Sequence, residues 1–112
     1  MNKNTVIFDL DGTLANIDAR RKLATKPNGK LDWDVFFDAS NISLDVPNEP
    51  VVKMAQMFAE NDFNIVIFSG RNDRSFHLDI DDVFLVVDDR DKVVKMWRDL
   101  GLNTFQVAPG NF

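Results

Sequence analysis

Three apolar segments of this sequence each end in polar side chains that could do chemistry. The first ends in Asp9 and Asp11, the second in the Ser-Gly-Arg run 69–71, and the third in Asp88 and Asp89. Four carboxylates gathered in one crevice repel one another and raise one another's pKa. A hard cation removes that penalty, and carboxylate oxygens are its usual ligands. We therefore predict an octahedral Mg²⁺, completed by waters and a phosphate, with these four aspartates as the metal-binding residues.

The first pair also has the spacing of a nucleophile and an acid/base. Side chains two positions apart on an extended segment point the same way, so Asp9 and Asp11 can act on one substrate. A carboxylate beside Mg²⁺ can attack phosphorus and form an aspartyl-phosphate, and a second one can protonate the leaving oxygen and then activate water. We assign these roles to Asp9 and Asp11 respectively. We expect Asp9, Asp88 and the backbone carbonyl of Asp11 to hold the ion, with Asp89 at or near it.

Small and hydrogen-bonding residues beside these carboxylates are candidates to bind phosphate. Gly12 lets the backbone turn sharply, so that amides there can bind phosphate oxygens. Ser69 can donate a hydrogen bond to a phosphoryl oxygen, and the guanidinium of Arg71 can clamp one with two. With their neighbours Thr13 and Gly70, these residues form the predicted phosphate-binding set.

The elements that must bring these residues together alternate between strands and helices. Apolar, β-branched runs predict four buried strands, at 5–10, 64–68, 83–87 and 104–107. Helical spacing and start signals predict helices at 32–37, 48–60 and 91–100. This alternation indicates an α/β fold, a parallel sheet with helices on its faces and right-handed crossovers. Ligands of such sheets bind at the carboxyl ends of the strands.

A long stretch, 16–47, separates the first strand from the first long helix. Residues 16–31 are polar and contain the turn cluster Lys-Pro-Asn-Gly at 26–29, which predicts a loop or flap. We treat 1–112 as a single domain and 16–47 as a flap or small cap-like insertion. The aromatic segment 32–37 allows two interpretations, packing on the core or a lid that stacks on a base, and packing is favoured. Trp97 lies at helical spacing with its apolar neighbours, which predicts a core position.

Composition narrows the class of protein. The chain has 112 residues, of which 45% are hydrophobic, and no cysteine. We therefore expect one packed domain without disulfides or thiolate metal sites, in a reducing cytoplasm. The net charge of −5, without a basic stripe, argues against wrapping duplex DNA but not against gripping one phosphate. No apolar run approaches ~20 residues, so no membrane span is expected.

Together, the motifs resemble those of a known family. A lone Asp-x-Asp after a strand is usually a turn or a cap, but this combination in this order is hard to obtain by chance. The run 8–14, Phe-Asp-Leu-Asp-Gly-Thr-Leu, looks like the first motif of the haloacid dehalogenase (HAD) superfamily. Ser69 matches its second motif and the pair 88–89 its fourth. The tail, 83–112, is similar to the phosphatase domain of phage polynucleotide kinase/3′-phosphatase and its stand-alone phage relatives.

This resemblance implies a HAD-like Rossmannoid fold and Mg²⁺-dependent hydrolysis of phosphate monoesters through an aspartyl-phosphate. It implies a substrate that is a nucleic-acid 3′-phosphate end or a nucleotide. In that group an arginine eleven positions after the nucleophile helps to hold phosphate, and Arg20 stands there. Arg71 matches the arginine of that group's own Ser-Gly-Arg run. The sequence has no Gly-x-x-x-x-Gly-Lys-[Ser/Thr] loop, so no kinase half is expected in it.

The sequence departs from the family where its third motif should stand. The family has there a helix, a strand and a further helix that carries a lysine, whereas only eleven residues, 72–82, connect the strands here. Arg74, His77 or Lys92 could replace that lysine, but none stands at a matching position. Preorganised charge supplies much of such catalysis, so we expect weakened activity. Two functions remain open: a phosphatase, or a catalytically weak or inactive remnant that binds Mg²⁺, phosphate or a protein partner.

The short connector also bears on topology and assembly. The resemblance implies four parallel strands in the spatial order 2-1-3-4, the HAD order without one edge strand, which leaves the second strand at an edge. Its side chains are apolar on both faces, and the connector 72–82 is too short to cross the sheet and also build a covering helix. Because an open apolar edge favours pairing with another chain, we expect a homodimer.

Overall fold

The computed structural model describes residues 3–36, 38–68 and 79–110. In chain order its elements are β1 (Thr5–Asp9), β2 (Ala15–Asn16), α1 (Asp18–Ala24), α2 (Trp33–Phe36), α3 (Ala39–Ile42), β3 (Val46–Pro47), α4 (Glu49–Glu60), β4 (Asn64–Phe68), β5 (Val83–Asp88), α5 (Asp91–Asp99) and β6 (Thr104–Gln106). A single 3₁₀ turn, Ile80–Asp82, leads into β5. Among the helices of these ranges, none combines the length and the apolar character needed to cross a membrane.

A parallel sheet of four strands forms the centre of the fold. Its order is β4-β1-β5-β6, and each neighbouring pair runs parallel. Ile7 of β1 lies level with Val66 of β4 and Val86 of β5, so the carboxyl ends of these strands meet at one edge of the sheet. The predicted α/β class and the predicted strand order 2-1-3-4 are both confirmed.

The two faces of the sheet are covered by different helices. Successive residues of a strand point to opposite faces, so Val6 and Phe8 pack under α4 while Ile7 and Val86 pack with Trp97 of α5. These side chains are almost fully buried, and burial of each contributes ~1.5–3 kcal/mol. The sandwich therefore holds the strand ends, and the polar side chains that follow them, in fixed positions.

The stretch 16–31 corrects the sequence-based prediction, because much of it is helical rather than a loop. α1 carries an acidic residue in its first turn and basic residues in its last, the arrangement that the helix dipole favours. Only a narrow face of it is buried, at Arg20 and Ala24, which is why its sequence looks uniformly polar. The turn predicted at 26–29 is present, with Gly29 at a φ of +82°.

A second, two-stranded sheet closes the insertion 16–47 at its base. β2 and β3 pair antiparallel, with Ala15 opposite Pro47. The amide of Asn48 donates to the carbonyl of Leu14 at 2.8 Å just beyond this pairing. The chain therefore leaves the main sheet and returns to it at nearly the same place. The division into one domain with a flap or cap-like insertion stays a prediction.

The edge strand bears on the expected homodimer. β4 lies at the edge of the sheet, as predicted, and Ile67 on it is 58% exposed. A large apolar side chain beside unpaired backbone groups is the feature from which pairing was expected. The homodimer itself stays a prediction.

Five residues named in the sequence analysis lie outside the described ranges. They are Ser69, Gly70, Arg71, Arg74 and His77.

Candidate active site

The carboxyl ends of β1 and β5 bring three carboxylates together. Asp9 is the last residue of β1, Asp88 is the last residue of β5, and Asp89 follows it. One oxygen of each side chain lies within 4.8 Å of the other two. β1 and β5 are neighbours, so backbone pairing holds these like charges together against their repulsion. We call these three residues the acidic cluster.

Burial and the charge of Asp88 raise the pKa of two members of the acidic cluster, Asp9 and Asp89. Burial, followed by the charge of Asp88 and the contacts with Asp89, raises the pKa of Asp9 to about 9. The hydroxyl of Thr13 opposes this shift by donating a hydrogen bond to Asp9 Oδ2 at 3.2 Å. Burial is also the main cause that raises the pKa of Asp89. Asp9 and Asp89 lie close enough for each carboxyl group to affect the pKa of the other.

One oxygen of the acidic cluster has no partner among the described residues. Asp89 is buried, and its Oδ1 has no hydrogen-bond partner. A buried polar atom left without a partner costs about 1–3 kcal/mol. A cation would supply the missing partner, since closely spaced carboxylate oxygens are ligands for hard ions. The residues present therefore fit an Mg²⁺ ion.

Asp88 is held more firmly than the other two members of the cluster. Its Oδ1 accepts hydrogen bonds from the backbone amides of Asp89 at 2.7 Å and Arg90 at 3.3 Å. Its Oδ2 accepts one from the indole Nε1 of Trp97 at 3.1 Å. Trp97 is buried, as predicted, but its indole also orients this carboxylate.

The turn after β1 is tightly constrained by the acidic cluster. Gly12 has a φ of +85°, a conformation that side chains disfavour. A Cβ on Gly12 would lie 2.0 Å from Asp89 Oδ2, so the carboxylate occupies the space that any side chain would need. The amide of Gly12 donates to the carbonyl of Ala15 at 2.9 Å, and the buried hydroxyl of Thr13 donates to Asp9. Phosphate binding by Gly12 and Thr13 stays a prediction.

The fourth predicted carboxylate, Asp11, has a different environment. Its Oδ1 accepts a hydrogen bond from Arg20 Nη2 at 3.0 Å, and it is not one of the three converging carboxylates. Arg20 is completely buried and also binds both oxygens of Asp45. We call Asp11, Arg20 and Asp45 the ion network. Phosphate binding by Arg20, and a metal ligand from the backbone of Asp11, stay predictions.

The aromatic segment of the insertion divides into a buried and an exposed part. Phe36 is buried as packing predicted, with the guanidinium of Arg20 4.3 Å from its ring centroid. Trp33 is 42% exposed, so the packing interpretation does not hold for it. Its ring lies edge-on to Phe36 at 5.4 Å, and the guanidinium of Arg90 lies 5.7 Å from its centroid. An exposed indole therefore lies against a cation, and this cation belongs to the residue that follows Asp89 in the sequence.

A small cavity adjoins the acidic cluster on the side of β6. It encloses about 170 Å³ and is lined by Gly12, Asp89 and Arg21, together with backbone of the loop 107–109. The charge of Arg21 acts on Asp89 and lowers its pKa against the effect of burial. A larger groove of about 560 Å³ lies near the opposite, amino ends of the strands, beside Val83, far from these carboxylates. Of these two, the small cavity lies beside the acidic cluster and is lined by Arg21 as well as by Asp18 and Asp89.

Comparison with known families agrees with this arrangement. A family model described as the polynucleotide kinase PNKP phosphatase domain matches residues 3–84 and 76–112, which together span nearly the whole chain. This chain belongs to the PNKP phosphatase-domain family. It is therefore a phosphatase domain of the HAD type.

Two solved structures share the fold of this PNKP-family domain. A chain in the structure of a Pnkp1/Rnl/Hen1 complex is 25% identical, with a TM-score of 0.68 over 97% of this chain and 47% of that one. A chain in the structure of the Pnkp1/Rnl/Hen1 RNA repair complex is 25% identical, with a TM-score of 0.68 over 96% of this chain and 43% of that one. The present chain spans less than half the length of either.

The family match is divided at the point where the sequence departs from the HAD pattern. Its two segments overlap at 76–84, a range that includes the second half of the short connector 72–82. Of the three residues considered as substitutes for the third-motif lysine, only Lys92 is described, and it is exposed on α5. The described residue that does bring positive charge to the acidic cluster is Arg21, which sequence reasoning missed.

Two further contributors to the PNKP-family site were also missed. Trp97 was assigned to the core alone, although a buried indole N–H usually finds an acceptor and Asp88 is the acceptor here. The need of a buried indole N–H for an acceptor could have indicated, from the sequence, that Trp97 binds a polar group. Asp45 gave no local signal, because its partner Arg20 lies 25 positions away in the sequence. Only the pairing of β2 with β3 and the docking of α1 bring these two side chains together.

Proposed function

We propose that this domain hydrolyses phosphate monoesters at the 3′ ends of nucleic acids, with Asp9 as the nucleophile, through an aspartyl-phosphate and with Mg²⁺. The observation that carries the proposal is the acidic cluster itself, in which two buried carboxylates and a half-buried one converge, and one oxygen has no partner among the described residues. A fold does not maintain such a cluster without a use for it, because each uncompensated charge is destabilising. Function belongs to such a site rather than to the fold.

The ion would be held by Asp9, Asp88 and Asp89. Asp88 is suited to this because its position is set by Trp97 and two amides, while the oxygen without a partner belongs to Asp89. When bound, Mg²⁺ neutralises the gathered carboxylates and the incoming phosphate, and so lets two anions approach each other.

The chain's own residues then divide the chemistry between them. Asp9 attacks phosphorus, the bond from phosphorus to the leaving oxygen breaks, and Asp11 delivers a proton to that oxygen. An alcohol leaves, and Asp9 carries the phosphoryl group. Asp11 next takes a proton from a water that attacks phosphorus, which releases inorganic phosphate and restores Asp9. Arg21, which lines the adjoining cavity, provides positive charge close to the transferring group.

The rim of the site suits a nucleic-acid end. Trp33 presents an exposed indole face, and Arg90 carries a positive charge beside it. Stacking of bases on aromatic rings, with cations along the backbone, is how single-stranded nucleic acid is bound without sequence preference. A structural neighbour from an RNA repair complex supports the same class of substrate. The net charge of −5 favours contact with one end of a strand over contact with a long duplex.

The proposal is tested by turnover of four substrates in Mg²⁺ and in EDTA. They are a 3′-phosphorylated oligonucleotide, its 5′-phosphorylated isomer, a nucleoside 3′-monophosphate and p-nitrophenyl phosphate. We expect hydrolysis in Mg²⁺ only, with the 3′-phosphorylated oligonucleotide preferred. Asp99→Asn is the matched control, since that aspartate is exposed and bound to Lys95 on α5.

The remnant hypothesis makes a different prediction in the same experiment. A domain that only binds would take up Mg²⁺ in calorimetry yet release no phosphate from any of the four substrates. Preference for the 5′-phosphorylated isomer would refute the 3′-end assignment while leaving the phosphatase chemistry in place.

A further inference from the structure

The loop that carries Asp89 is bound by the segment 106–110. This loop, 89–90, connects β5 to α5, which begins at Asp91. Gln106 is the last residue of β6, and its Nε2 donates to the backbone carbonyl of Asp89 at 2.9 Å and to Asp91 Oδ1 at 2.6 Å. One side-chain nitrogen therefore joins the two ends of the turn from the strand into the helix.

Gly110 binds the same loop through its backbone. Its amide donates to Asp91 Oδ1 at 3.1 Å, and the amide of Asp91 donates to the carbonyl of Gly110 at 2.6 Å. A Cβ on Gly110 would lie 2.5 Å from the carbonyl oxygen of Asp89, so a side chain there would displace the loop. We call Gln106, Gly110 and Asp91 the loop network. It encloses Asp89 on its backbone side, while Gly12 leaves the room that its carboxylate occupies.

Asp89 depends on this support more than Asp88 does. The carboxylate of Asp88 is oriented directly, by Trp97 and by two backbone amides. Asp89 Oδ1 has no partner among the described residues, so the position of this oxygen follows from where the backbone of the loop lies. Mg²⁺ demands oxygen ligands at about 2.0–2.1 Å in near-octahedral geometry. A small displacement of the loop would therefore weaken the metal site.

We propose that Gln106 is a positioning residue, which fixes the loop after β5 so that the carboxylate of Asp89 faces the acidic cluster and can hold Mg²⁺. In this assignment Gln106 touches neither the ion nor the substrate, because its amide nitrogen is engaged by the loop. The inference rests on the proposed function in one respect, the use of Mg²⁺ as the ion of the acidic cluster. It brings into the site a side chain of β6, a strand that contributes no carboxylate to the cluster.

Calorimetric titration with Mg²⁺ tests the assignment. Gln106→Met keeps the length of the side chain and removes both hydrogen bonds. We expect it to lower Mg²⁺ affinity ~10-fold, at the lower end of the effect of losing an outer contact of a metal site. Affinity equal to that of the wild type would overturn the positioning role. Gln56→Met is the matched control at an exposed glutamine of α4, and it should leave the affinity unchanged.

Gln106→Glu separates the hydrogen bonds from the charge. The variant keeps the shape of the side chain but places an ionised acceptor where the donor stood. Its added negative charge would by itself favour a nearby cation, so a lower Mg²⁺ affinity points to the lost hydrogen bonds. An affinity higher than that of the wild type would show that charge outweighs position here, and would overturn the proposal.

Amide hydrogen exchange in EDTA gives a readout without the ion. In Gln106→Met the amides of Asp91 and Gly110 should exchange faster, because the loop opens more often, whereas the amide of Ile7 in the centre of the sheet should keep its rate. Unchanged rates at Asp91 and Gly110 would contradict the positioning role. Faster exchange at all three amides would assign Gln106 to the stability of the whole fold instead.

Turnover at increasing Mg²⁺ concentration distinguishes this inference from the function on which it rests. If Gln106 acts only through metal binding, high Mg²⁺ should return kcat of Gln106→Met nearly to the wild-type value. A loss that persists at saturating Mg²⁺ would overturn the assignment and leave the phosphatase function in place. A wild type that binds Mg²⁺ but releases no phosphate overturns the proposed function, and the calorimetric comparison still decides the role of Gln106. A wild type that binds no Mg²⁺ overturns both.

Discussion

The acidic cluster and the ion network lie side by side and are both built from buried charges, yet they are opposite in character. The cluster gathers three carboxylates, and Asp89 Oδ1 has no partner among the described residues. The network places a guanidinium between two carboxylates and satisfies them. A site whose carboxylate oxygen lacks a partner is suited to bind a cation. A site whose charges are paired is suited to keep its side chains in fixed positions.

The two regions also rest on different supports. The cluster stands on β1 and β5, the two central strands of the sheet, which are covered on both faces. Arg20 of the network and Trp33 stand on short helices of the insertion, and Asp45 immediately precedes β3. We infer that the sheet fixes the atoms of the chemistry, while the insertion adjusts the acid/base and receives the substrate.

Asp9→Asn should have the largest effect. The amide cannot act as nucleophile, so turnover should fall by ~10³-fold or more on every substrate, far more than for any variant of the ion network. Phosphate release from an oligonucleotide measures this. Turnover that survives would point to direct attack by water and would remove the chemical distinction between the two regions.

Trp97→Phe should weaken the metal site without touching the substrate. The indole donor to Asp88 is lost while most of the core volume remains, and loss of such an outer contact lowers metal affinity ~10–100-fold. Calorimetric titration with Mg²⁺ checks it, with Trp33→Phe as the control at the exposed tryptophan. Unchanged affinity, in this variant and in Asp88→Asn, would mean that Asp88 is not a ligand.

Trp33→Ala should raise KM for a 3′-phosphorylated oligonucleotide about fivefold and leave kcat nearly unchanged. Loss of one stacked base costs ~1–3 kcal/mol, and the lower value suits a partly exposed ring. A small alkyl phosphate without a base should show no change in KM. Equal effects on both substrates would show that Trp33 supports the insertion instead of contacting the nucleic acid.

Metal-free protein should lose thermal stability as the pH rises from about 5 to 8. The fold raises the pKa of Asp9 from 3.8 to about 9, so in this range the folded state binds a proton that the unfolded state has released. Mg²⁺ should restore several degrees of Tm, and more at pH 8 than at pH 6, because it replaces the proton. Asp9→Asn should flatten the metal-free slope. A Tm that rises with pH in EDTA would contradict the raised pKa.

Loss of the homodimer should change the mass of the particle in solution more than it changes the phosphatase activity. We propose that the β4 edge, with Ile67 exposed on it, pairs with a second copy. Sedimentation at micromolar concentration should give twice the chain mass of 12.8 kDa, and Ile67→Lys should give the single mass. A 12.8 kDa particle for the unaltered chain would refute the dimer.

Much of the fold could be predicted because its signals are local. Runs of apolar residues between helical periodicities predict parallel strands at 5–10 and 83–87. The strand order was predicted from the resemblance to the HAD family, and the structure has that order. α1 was missed because only Arg20 and Ala24 of its residues are buried. Apolar periodicity cannot reveal a helix whose buried face is made by a charged side chain.

The sequence by itself determined which carboxylates end the central strands and why Gly12 must follow them. Asp9 and Asp88 stand where apolar runs stop, and neighbouring parallel strands must bring such ends to one edge. Only the tertiary structure decided which charges remain without a counter-charge. Asp45 meets Arg20, and Trp97 meets Asp88, because separate elements dock on one another, and hydrogen bonds form only where docking places donor and acceptor within about 3 Å. That geometry left Asp89 with an oxygen for a ligand and gave Asp11 a fixed partner.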